Sequence, residues 1–319
     1  MRILIGYDGS ESSEAIFKDL ADAGLPNDAT VKVVTVADLL MSTPQLKHIA
    51  PKALAFSRVD TALATAVTHA EDVTGEARAF AEIGAERIRK QFPNWNVTAE
   101  VLTGTPDLEL IAAAEDWDAD LIIVGSQKRN AVGRFLLGSV SRSVVTGSNR
   151  SVRVSRPAGN NSAKPPTTVV VAIDGSEASK QAVLACGRRA WSGETDVRLV
   201  AVHDHVSPAR IAARLPNAAA LVTDHNAESI LQKNRMIEWA RRELNSIDLN
   251  VSISIQKGDA KRIILKEAQK SNAHTIFVGT RDFKDSFERF RLGSVSASIV
   301  ANAACSVEVA RSFDIPEAE

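Results

Sequence analysis

Residues 4–13 read LIGYDGSESS, and residues 170–179 read VVAIDGSEAS. Each stretch is an apolar run that ends in Asp-Gly-Ser-Glu, a pattern that predicts a buried strand, a turn and the start of a helix. Two further matches follow in the same order, the apolar runs ending at Gly125 and Gly279 and the sequence LGSVS at 137–141 and 292–296. The chain of 319 residues is therefore predicted to contain one domain twice, as its length also suggests.

The joint between the two copies is predicted at residues 158–166, which read AGNNSAKPP. Small, polar and proline residues favour exposed, extended chain. We therefore predict a first domain over residues 1–157, a linker over 158–166 and a second domain over 167–319.

Predicted strands alternate with predicted helices along both copies. In the first copy the strands are Arg2–Tyr7, Val31–Val36, Asn96–Leu102, Leu121–Val124 and Val152–Val154, and the helices are Glu11–Ala23, Pro106 to near Trp117, and Ser139–Thr146. In the second copy the strands are Thr168–Ile173, Arg198–Val202, Val251–Ile255, Thr275–Val278 and Val307–Val309. This alternation predicts an α/β fold in which each copy is a doubly wound parallel sheet with right-handed crossovers.

The two copies differ in the connection between their second and third strands. Asp8 to Gly104 spans 96 positions and Asp174 to Gly258 spans 84, so the first copy carries 12 more. The extra length lies within residues 39–92 and includes an Ala-rich, helical stretch. Because this connection leaves the carboxyl edge of the sheet, where ligands of open α/β folds bind, it could form a lid. The favoured interpretation is a solvated helical excursion.

Three elements of the first copy are expected to meet at that carboxyl edge. The first strand ends beside Asp8, the fourth ends at Gly125, and a helix begins at Gly138 and Ser139. Glycine lets backbone N–H groups approach a phosphate closely, and a helix N-terminus supplies free donors and a favourable dipole. The Asp8 carboxylate could accept hydrogen bonds from a ribose, and the Ser139 and Ser141 hydroxyls could add donors. The arrangement predicts a nucleotide cradle.

The loop after the fourth strand adds positive charge through Lys128, Arg129 and Arg134. A purely structural explanation stands beside this prediction, because the glycines could end a strand and cap a helix, and the aspartate could cap the first helix. The occurrence of the same pattern in both copies favours a shared ancestral site, although it leaves open whether either copy still binds a ligand.

At these residues the chain resembles the universal stress protein family, over nearly its whole length as two copies. ATP-binding members of that family carry the motif Gly-x2-Gly-x9-Gly-Ser. In the first copy Gly125 matches the first glycine, and Gly138 with Ser139 matches the final pair. Lys128 stands at the position of the middle glycine; it adds bulk there, but its ammonium group could contact a phosphate.

The second copy departs further from the motif. Gly279 matches the first glycine, and Gly293 with Ser294 matches the final pair, but the loop is one residue longer. Asp282 stands at the middle glycine, where it brings negative charge towards a negatively charged ligand. The first site is therefore ranked above the second.

The resemblance implies two Rossmann-like domains, similar to adenine nucleotide alpha hydrolases, each with five parallel strands. It also implies that they pack as a pseudo-dimer through their last strands. The implied ligand is ATP or a related adenine nucleotide, with Mg²⁺ or Mn²⁺ held largely by phosphate oxygens. The implied contacts are Asp8, Val36, Gly125, Lys128, Gly138, Ser139, Val140 and Ser141 in the first copy and, more weakly, Asp174, Val202, Gly279, Gly293, Ser294, Val295 and Ser296 in the second. Adenine would meet the backbone of Val36 or Val202, and the ribose would meet Asp8 or Asp174.

Composition narrows the choice of partners and location. The formal net charge is −1 and no basic block is present, so neither nucleic acid nor a membrane is an expected partner. The first residues read as a strand rather than a signal peptide, and Cys186 and Cys305 have no metal-ligand or redox spacing. These features indicate a cytoplasmic protein. A further pairing of two chains into a homodimer is left open.

Binding or sensing of an adenine nucleotide in a stress response is the favoured function. A nucleotide-free interaction scaffold is the first alternative, because both middle glycines of the motif are replaced. A slow ATPase comes last, since no general base can be identified. No metal site from side chains is assigned: in His203-Asp204-His205, successive side chains on a strand point in opposite directions.

Overall fold

The computed structural model describes residues 1–38, 56–129, 135–156, 167–191, 194–203, 219–280 and 292–311. Among these residues, the helices lack the length or the apolar character that a membrane crossing requires.

The strands of the first copy, domain 1, are β1 (Arg2–Gly6), β2 (Thr30–Ala37), β3 (Asn96–Thr103), β4 (Leu121–Gly125), β5 (Gln127–Arg129), β6 (Phe135–Leu136) and β7 (Ser151–Ser155). Those of the second copy, domain 2, are β8 (Thr168–Ile173), β9 (Asp196–His203), β10 (Asn250–Lys257), β11 (Thr275–Gly279) and β12 (Ser306–Ala310). Ten of these strands form one sheet in the order β10-β9-β8-β11-β12-β7-β4-β1-β2-β3, and β5 pairs with β6.

The helices of domain 1 are α1 (Glu11–Leu20), α2 (Phe56–Gln91), α3 (Pro106–Asp116) and α4 (Ser139–Gly147). Those of domain 2 are α5 (Glu177–Gly187), α6 (Ala219–Asn245), α7 (Ala260–Lys270) and α8 (Ser294–Asn302). The residues at the N-termini explain where several of these helices begin. Pro106 starts α3, where its missing N–H costs no helical hydrogen bond, and the Ser10 hydroxyl caps α1 by accepting from the Ser13 N–H at 3.3 Å.

The sheet confirms the predicted fold class. Within each domain the five main strands are parallel, and the domains join through an antiparallel pairing of the last strands, β7 and β12. All ten predicted strands are present, with ends within two residues of those predicted. The prediction for α1 was too long, because the helix ends at Leu20 and a turn leads to Gly24 at a φ of 60°. The β5–β6 pair was not predicted; it lies in a segment that reads as a loop.

The apolar core has three parts, one of which crosses the boundary between the domains. On one face of the sheet, α3, α4, α7 and α8 cover a continuous cluster that includes Val152 and Val154 of β7 and Val307 and Val309 of β12. On the other face, α1 and α2 cover a core in domain 1, and α5 and α6 cover a separate core in domain 2. A fully buried Val, Leu or Ile contributes about 1.5–3 kcal/mol, so the shared cluster binds the two domains strongly.

The long connection of domain 1 is built mainly from α2. This helix has 36 residues and its counterpart α6 has 27, so nine of the 12 extra residues lie in the helix. Its buried stripe, Ala77, Ala81, Ala85 and Ile88, packs towards β2 and β3. The interpretation as a solvated excursion is therefore wrong for this part of α2. Residues 39–55, where a lid would begin, lie outside the described residues, as does the predicted linker 158–166, and the exact domain boundaries stay predictions.

Candidate functional site

A cavity of about 220 Å³ opens at the carboxyl edge of domain 1, between the ends of β1, β2 and β4 and the start of α4. It is lined by Gly6, Tyr7, Asp8, Ser10, Ser12, Ser13, Val34, Val36, Leu110, Val124, Gly125, Gly138, Ser139, Val140 and Ser141. Seven of the eight predicted contacts are among them. The side chain of the eighth, Lys128, lies outside the described part of the structure, as do the side chain of Arg129 and all of Arg134.

Asp8 is exposed and follows β1 directly. One of its carboxylate oxygens accepts the Ser10 N–H at 3.0 Å, which makes a local turn. The cap of α1 is the Ser10 hydroxyl, so the structural explanation that Asp8 caps this helix is wrong. Asp174 of domain 2 repeats the arrangement and accepts the Ser176 N–H at 3.0 Å. The turn orients each carboxylate at the rim of its sheet edge.

The backbone of Val36 faces the cavity because the hydrogen-bonding groups of a strand alternate between its two neighbours. The Ala37 carbonyl accepts the Gly104 N–H at 3.2 Å on the β3 side, so the N–H and C=O of Val36 point to the β1 side. β1 has already ended there, and the Tyr7 N–H to Val34 carbonyl bond at 2.9 Å marks the end of that ladder. This edge therefore presents a donor and an acceptor to a ligand.

Gly125 is explained by packing as well as by a ligand. A Cβ at this position would overlap with the carbonyl oxygen of Ser12, where the first turn of α1 crosses the end of β4. Gly279 has the same relation to the Ala178 carbonyl in domain 2. The glycine at the end of the fourth strand is thus required by close contact of the backbones, whether or not a phosphate approaches it.

The start of α4 has the geometry of an anion site. Gly138 has an extended conformation, φ −61° and ψ 161°, and its carbonyl accepts the first helical bond, from the Arg142 N–H at 2.9 Å. The N–H groups of Ser139, Val140 and Ser141 belong to the first turn, where a helix has no internal acceptors, and they carry the positive end of its dipole. These three residues line the cavity.

Ser141 does not have the role of a ligand donor that its hydroxyl suggested. Its Oγ donates to the Gly125 carbonyl at 2.6 Å, and Ser296 of domain 2 donates to the Gly279 carbonyl at 2.7 Å. Each bond ties the N-terminus of a helix to the end of a strand. The hydroxyl therefore positions the helix N-terminus, and the backbone N–H of Ser141 is the donor that this residue can present to the cavity.

Several lining residues were missed by sequence reasoning, among them Ser10, Ser12 and Leu110. Ser10 caps α1, Ser12 lies in its first turn and Leu110 lies on α3, and only the folded sheet brings the three to the rim. Ser126 is a further omission. Its hydroxyl is buried beside Gly125 and has no hydrogen-bond partner among the described residues, and Thr280, its counterpart in domain 2, is in the same state. The sequence signal for Ser126 and Thr280 is that a small hydroxyl residue follows the glycine at the end of the fourth strand in both copies.

The wall of the cavity near Tyr7 is held by a group of charged and aromatic side chains. The Tyr7 hydroxyl donates to the Glu14 carboxylate at 2.6 Å, and burial together with that carboxylate raises the pKa of Tyr7 to about 12. Arg87 of α2 pairs with Glu14 at 2.5 Å and lies over the Phe17 ring, and its hydrogen bond lowers the pKa of Glu14. The Tyr7 hydroxyl therefore stays neutral, and its role is structural.

Domain 2 repeats the turn at Asp174, the bond between Ser296 and Gly279 and the helix start at Gly293, but the end of its second strand differs. Lys233 is 7% exposed, and its Nζ donates to the Val202 carbonyl at 2.7 Å. The adjacent His203 has a lowered pKa because of burial and the nearby charges of Lys233 and Lys257. Asp282, Asp204 and His205 lie outside the described residues.

The buried stripes of α2 and α6 show what Lys233 replaces. In α6 the stripe is Lys233, Ile237, Ala240 and Leu244, and the same spacing in domain 1 is followed by Ala81, Ala85 and Ile88 of α2 and by Phe92 just after it. The contacts agree, because a Cβ at Gly9 would meet Phe80, whereas a Cβ at the equivalent Gly175 would meet Gln232 and Lys233. Ala81 thus stands in domain 1 where Lys233 stands in domain 2. The Val36 carbonyl of domain 1 faces the cavity. Its counterpart in domain 2, the Val202 carbonyl, already accepts a hydrogen bond from the Lys233 ammonium group.

Comparison with known proteins agrees with this architecture. The model of the "Universal stress protein family" matches residues 1–156 and again 166–311. The universal stress protein Rv2005c of Mycobacterium tuberculosis is 27% identical over 312 residues, which cover 97% of this chain and 96% of that protein. A universal stress protein of Mycolicibacterium smegmatis is 24% identical over 310 residues, with 97% and 96% covered.

Among solved structures, the crystal structure of a universal stress protein from Archaeoglobus fulgidus superposes with a TM-score of 0.64. The sequences are 19% identical, and the superposition covers 97% of this chain and 98% of that one, so the likeness is one of fold. Two matches to the family model, together spanning nearly the whole chain, place it plainly: this chain belongs to the universal stress protein family.

Proposed function

We propose that domain 1 binds an adenine nucleotide and that the protein acts as a nucleotide-binding or nucleotide-sensing component of a stress response. The observation that carries the proposal is a single cavity with three kinds of ligand group at its rim. They are the outward-facing backbone of Val36, the carboxylate of Asp8 and the N-terminus of α4. Each suits a different part of a nucleotide.

The base would meet the Val36 backbone, whose adjacent donor and acceptor match the edge of an adenine ring. The ribose hydroxyls would donate to Asp8, which is exposed at the end of β1. The phosphates would lie at the first turn of α4, where free N–H groups and the helix dipole favour negative charge.

A divalent cation would be held mainly by the phosphates. Among the described residues, no three His, Cys, Asp or Glu side chains cluster in a way that could hold a metal ion. Mg²⁺ usually keeps several waters and binds through substrate phosphates, which fits a site of this kind. The proposed ligand is therefore ATP or a related adenine nucleotide together with Mg²⁺ or Mn²⁺.

Domain 2 is proposed as the weaker site or as no site. The physical reason is Lys233, which already donates to the Val202 carbonyl. An adenine amino group would have to displace this buried bond, and the displaced ammonium would lose its acceptor. This contact ranks the two sites in the same order as the replaced motif glycines do.

The test is calorimetric titration of nucleotide-stripped protein with ATP and Mg²⁺, repeated with Gly138→Asp. The φ of Gly138 is open to any residue and aspartate is a good helix cap, so the variant should fold. Its carboxylate would repel the phosphates by about 4 kcal/mol at a separation of about 4 Å, which predicts an affinity loss of at least about 100-fold.

The matched control is Gly293→Asp at the equivalent position of domain 2, which should leave the affinity unchanged. Loss of binding in Gly293→Asp alone would move the site to domain 2. Unchanged binding in a folded Gly138→Asp protein would contradict the assignment to α4. No binding by the wild type up to millimolar nucleotide would favour the interaction scaffold. Hydrolysis of bound ATP would favour the slow ATPase, and light scattering of the same samples tests the homodimer.

A further inference from the structure

The boundary between the domains contains a row of four buried charges, Asp19, Arg153, Glu308 and Arg189, here called the charge row. Arg153 of β7 and Glu308 of β12 are opposite each other in the antiparallel register, with Arg153 Nη1 3.5 Å from Glu308 Oε2. Asp19 of α1 binds Arg153 through two hydrogen bonds of 2.7 Å, and Arg189, which follows α5, pairs with Glu308. All four side chains are at least nine-tenths buried.

Arg153 and Glu308 lie at the centre of a local two-fold relation between the domains. The register pairs Val154 with Val307 and Val152 with Val309 on either side of them. The two strands also match in sequence, since residues 152–154 of β7 read Val-Arg-Val and residues 307–309 of β12 read Val-Glu-Val. The equivalent central positions therefore carry opposite charges.

The bonds around the charge row keep the two-fold relation. The Arg156 N–H donates to the Ser306 hydroxyl at 2.9 Å, and in the mirrored contact the Arg311 N–H donates to the Ser151 hydroxyl at 3.1 Å. Their guanidinium groups likewise donate to carbonyls at equivalent places in α8 and α4. The boundary is thus symmetric in its backbone and its outer bonds and asymmetric in its central charges.

The outer charges of the row, Asp19 and Arg189, also differ between the domains. The position of Asp19 in α1 corresponds to Ala185 in α5, and the position of Arg189 corresponds to Ala23. Domain 1 therefore supplies an acid for its own arginine, and domain 2 supplies an arginine for its own acid. Each domain balances its own central charge before the two domains meet.

We propose that the charge row makes this boundary select unlike domains, so that domain 1 pairs with domain 2 and like domains of two chains do not pair in its place. A like pair would set Arg153 against Arg153, or Glu308 against Glu308, at a position from which water is excluded. Removing an ion from water is costly unless an opposite charge receives it, and a like charge adds repulsion.

A second contact discriminates in the same direction. Arg153 also donates to the Thr275 hydroxyl of domain 2 at 2.9 Å, and the position of Thr275 is held in domain 1 by Leu121. A pair of two domain 1 copies would therefore lose an acceptor for each arginine. The flanking charges would still make such a pair neutral overall, so the selection resides in the central contact and in this hydroxyl.

The test exchanges the charge pattern between the domains in the full chain. The first variant gives domain 1 the pattern of domain 2, through Asp19→Ala, Ala23→Arg and Arg153→Glu. Its own boundary then carries two central acids. We expect its unfolding midpoint to fall by about 10 °C, as the loss of a buried ion pair implies for a chain of this size.

The second variant gives domain 2 the pattern of domain 1, through Ala185→Asp, Arg189→Ala and Glu308→Arg. Its unfolding midpoint should fall by a similar amount, because arginines at positions 153 and 308 then face each other at the domain boundary. A third variant carries all six substitutions and restores opposite charges in inverted order. We expect it to recover at least half of the lost midpoint.

Mixing supplies the direct test of selection. Tagged first variant should retain untagged second variant after refolding together, because each domain then finds an opposite charge on the other chain. It should not retain an untagged copy of itself beyond what wild type retains of wild type. Reversal of the half-buried Lys32–Glu100 pair, 2.9 Å apart and far less buried than the charge row, is the control for charge reversal as such.

Three results would overturn the proposal. They are triple variants as stable as wild type, a six-substitution chain no more stable than the triple variants, and a mixture that shows no retention above the wild-type level. The last two keep the test decisive even where a triple variant alone does not fold.

Discussion

At the scale of single residues, the exchange of Ala81 for Lys233 is the difference that most affects the two candidate sites. The two residues hold the same buried position on equivalent helices, but only Lys233 reaches the carbonyl at the end of the second strand. Sequence alone did not reveal this relation, because the connections before α2 and α6 differ in length and only the burial pattern aligns the helices. The motif glycines, by contrast, were visible from their spacing.

Transfer of the lysine should close the site in domain 1. In Ala81→Lys, the new ammonium group is expected to donate to the Val36 carbonyl, as Lys233 does to the Val202 carbonyl. We predict that the affinity for ATP falls at least about tenfold, because a hydrogen bond to a charged donor is worth about 1.5–3 kcal/mol. Titration calorimetry measures the change.

Ala81→Met is the control for this prediction, since methionine has similar length and no donor. It should keep the affinity within about threefold of wild type, a change of less than 1 kcal/mol. Equal losses in the two variants would mean that bulk, rather than occupation of the carbonyl, weakens binding.

Gly125 and Gly138 appeared equivalent in sequence, as two glycines of one motif, but the structure gives them different tasks. A Cβ at Gly125 would overlap with the Ser12 carbonyl, whereas Gly138 has an ordinary extended conformation. We predict that Gly125→Ala lowers the free energy of unfolding by about 1–3 kcal/mol, the usual cost of overpacking.

Urea denaturation measures that loss, and Gly138→Asp is the comparison. It should lose less stability than Gly125→Ala, because the φ of Gly138 is open to any residue and aspartate can cap the helix. A Gly125→Ala protein as stable as wild type would show that α1 can move away from β4 at little cost.

At the scale of elements, the buried strands were the most predictable part of the fold. Runs such as 121–125 and 169–173 are apolar throughout, because helices cover both faces of a parallel sheet. The β5–β6 pair could not be predicted, since its strands have only three and two residues. The burial of α2 was also missed, because its stripe is made of alanine and resembles the rest of an Ala-rich helix.

The bond between α4 and β4 links an element boundary to ligand binding. In Ser141→Ala, the Gly125 carbonyl loses its donor at 2.6 Å, and the free energy of unfolding should fall by about 1 kcal/mol. We also expect weaker ATP binding, because the N-terminus of α4 is then less firmly positioned. Denaturant unfolding and calorimetry on the same protein separate the two effects.

Ser296→Ala provides the matched comparison, because Ser296 makes the same bond in domain 2 at 2.7 Å. It should lose similar stability and keep the affinity of wild type. If both variants bind ATP as wild type does, the hydroxyl has no influence on the ligand and serves packing alone.

At the scale of the whole molecule, the pairing of the last strands was foreseen from the family resemblance, but the charge row was not. Arg153 and Glu308 are single charges within apolar strands, and the Asp19 that binds Arg153 is 134 residues away in sequence. No local pattern connects them. Arg153 and Glu308 become partners only when the sheets of the two domains join through β7 and β12.

Because one apolar cluster crosses this boundary, the two domains should unfold together. Glu308→Gln tests that expectation, since it removes a buried negative charge that faces both Arg153 and Arg189. We predict a single thermal transition whose free energy of unfolding is lower by about 3–5 kcal/mol, the cost of breaking a buried pair. Glu86→Gln makes the same chemical change in an exposed pair with Lys90 and should cost less than about 1 kcal/mol. Two separated transitions in Glu308→Gln, with domain 1 as stable as before, would mean that the domains fold independently and that the boundary only joins them afterwards.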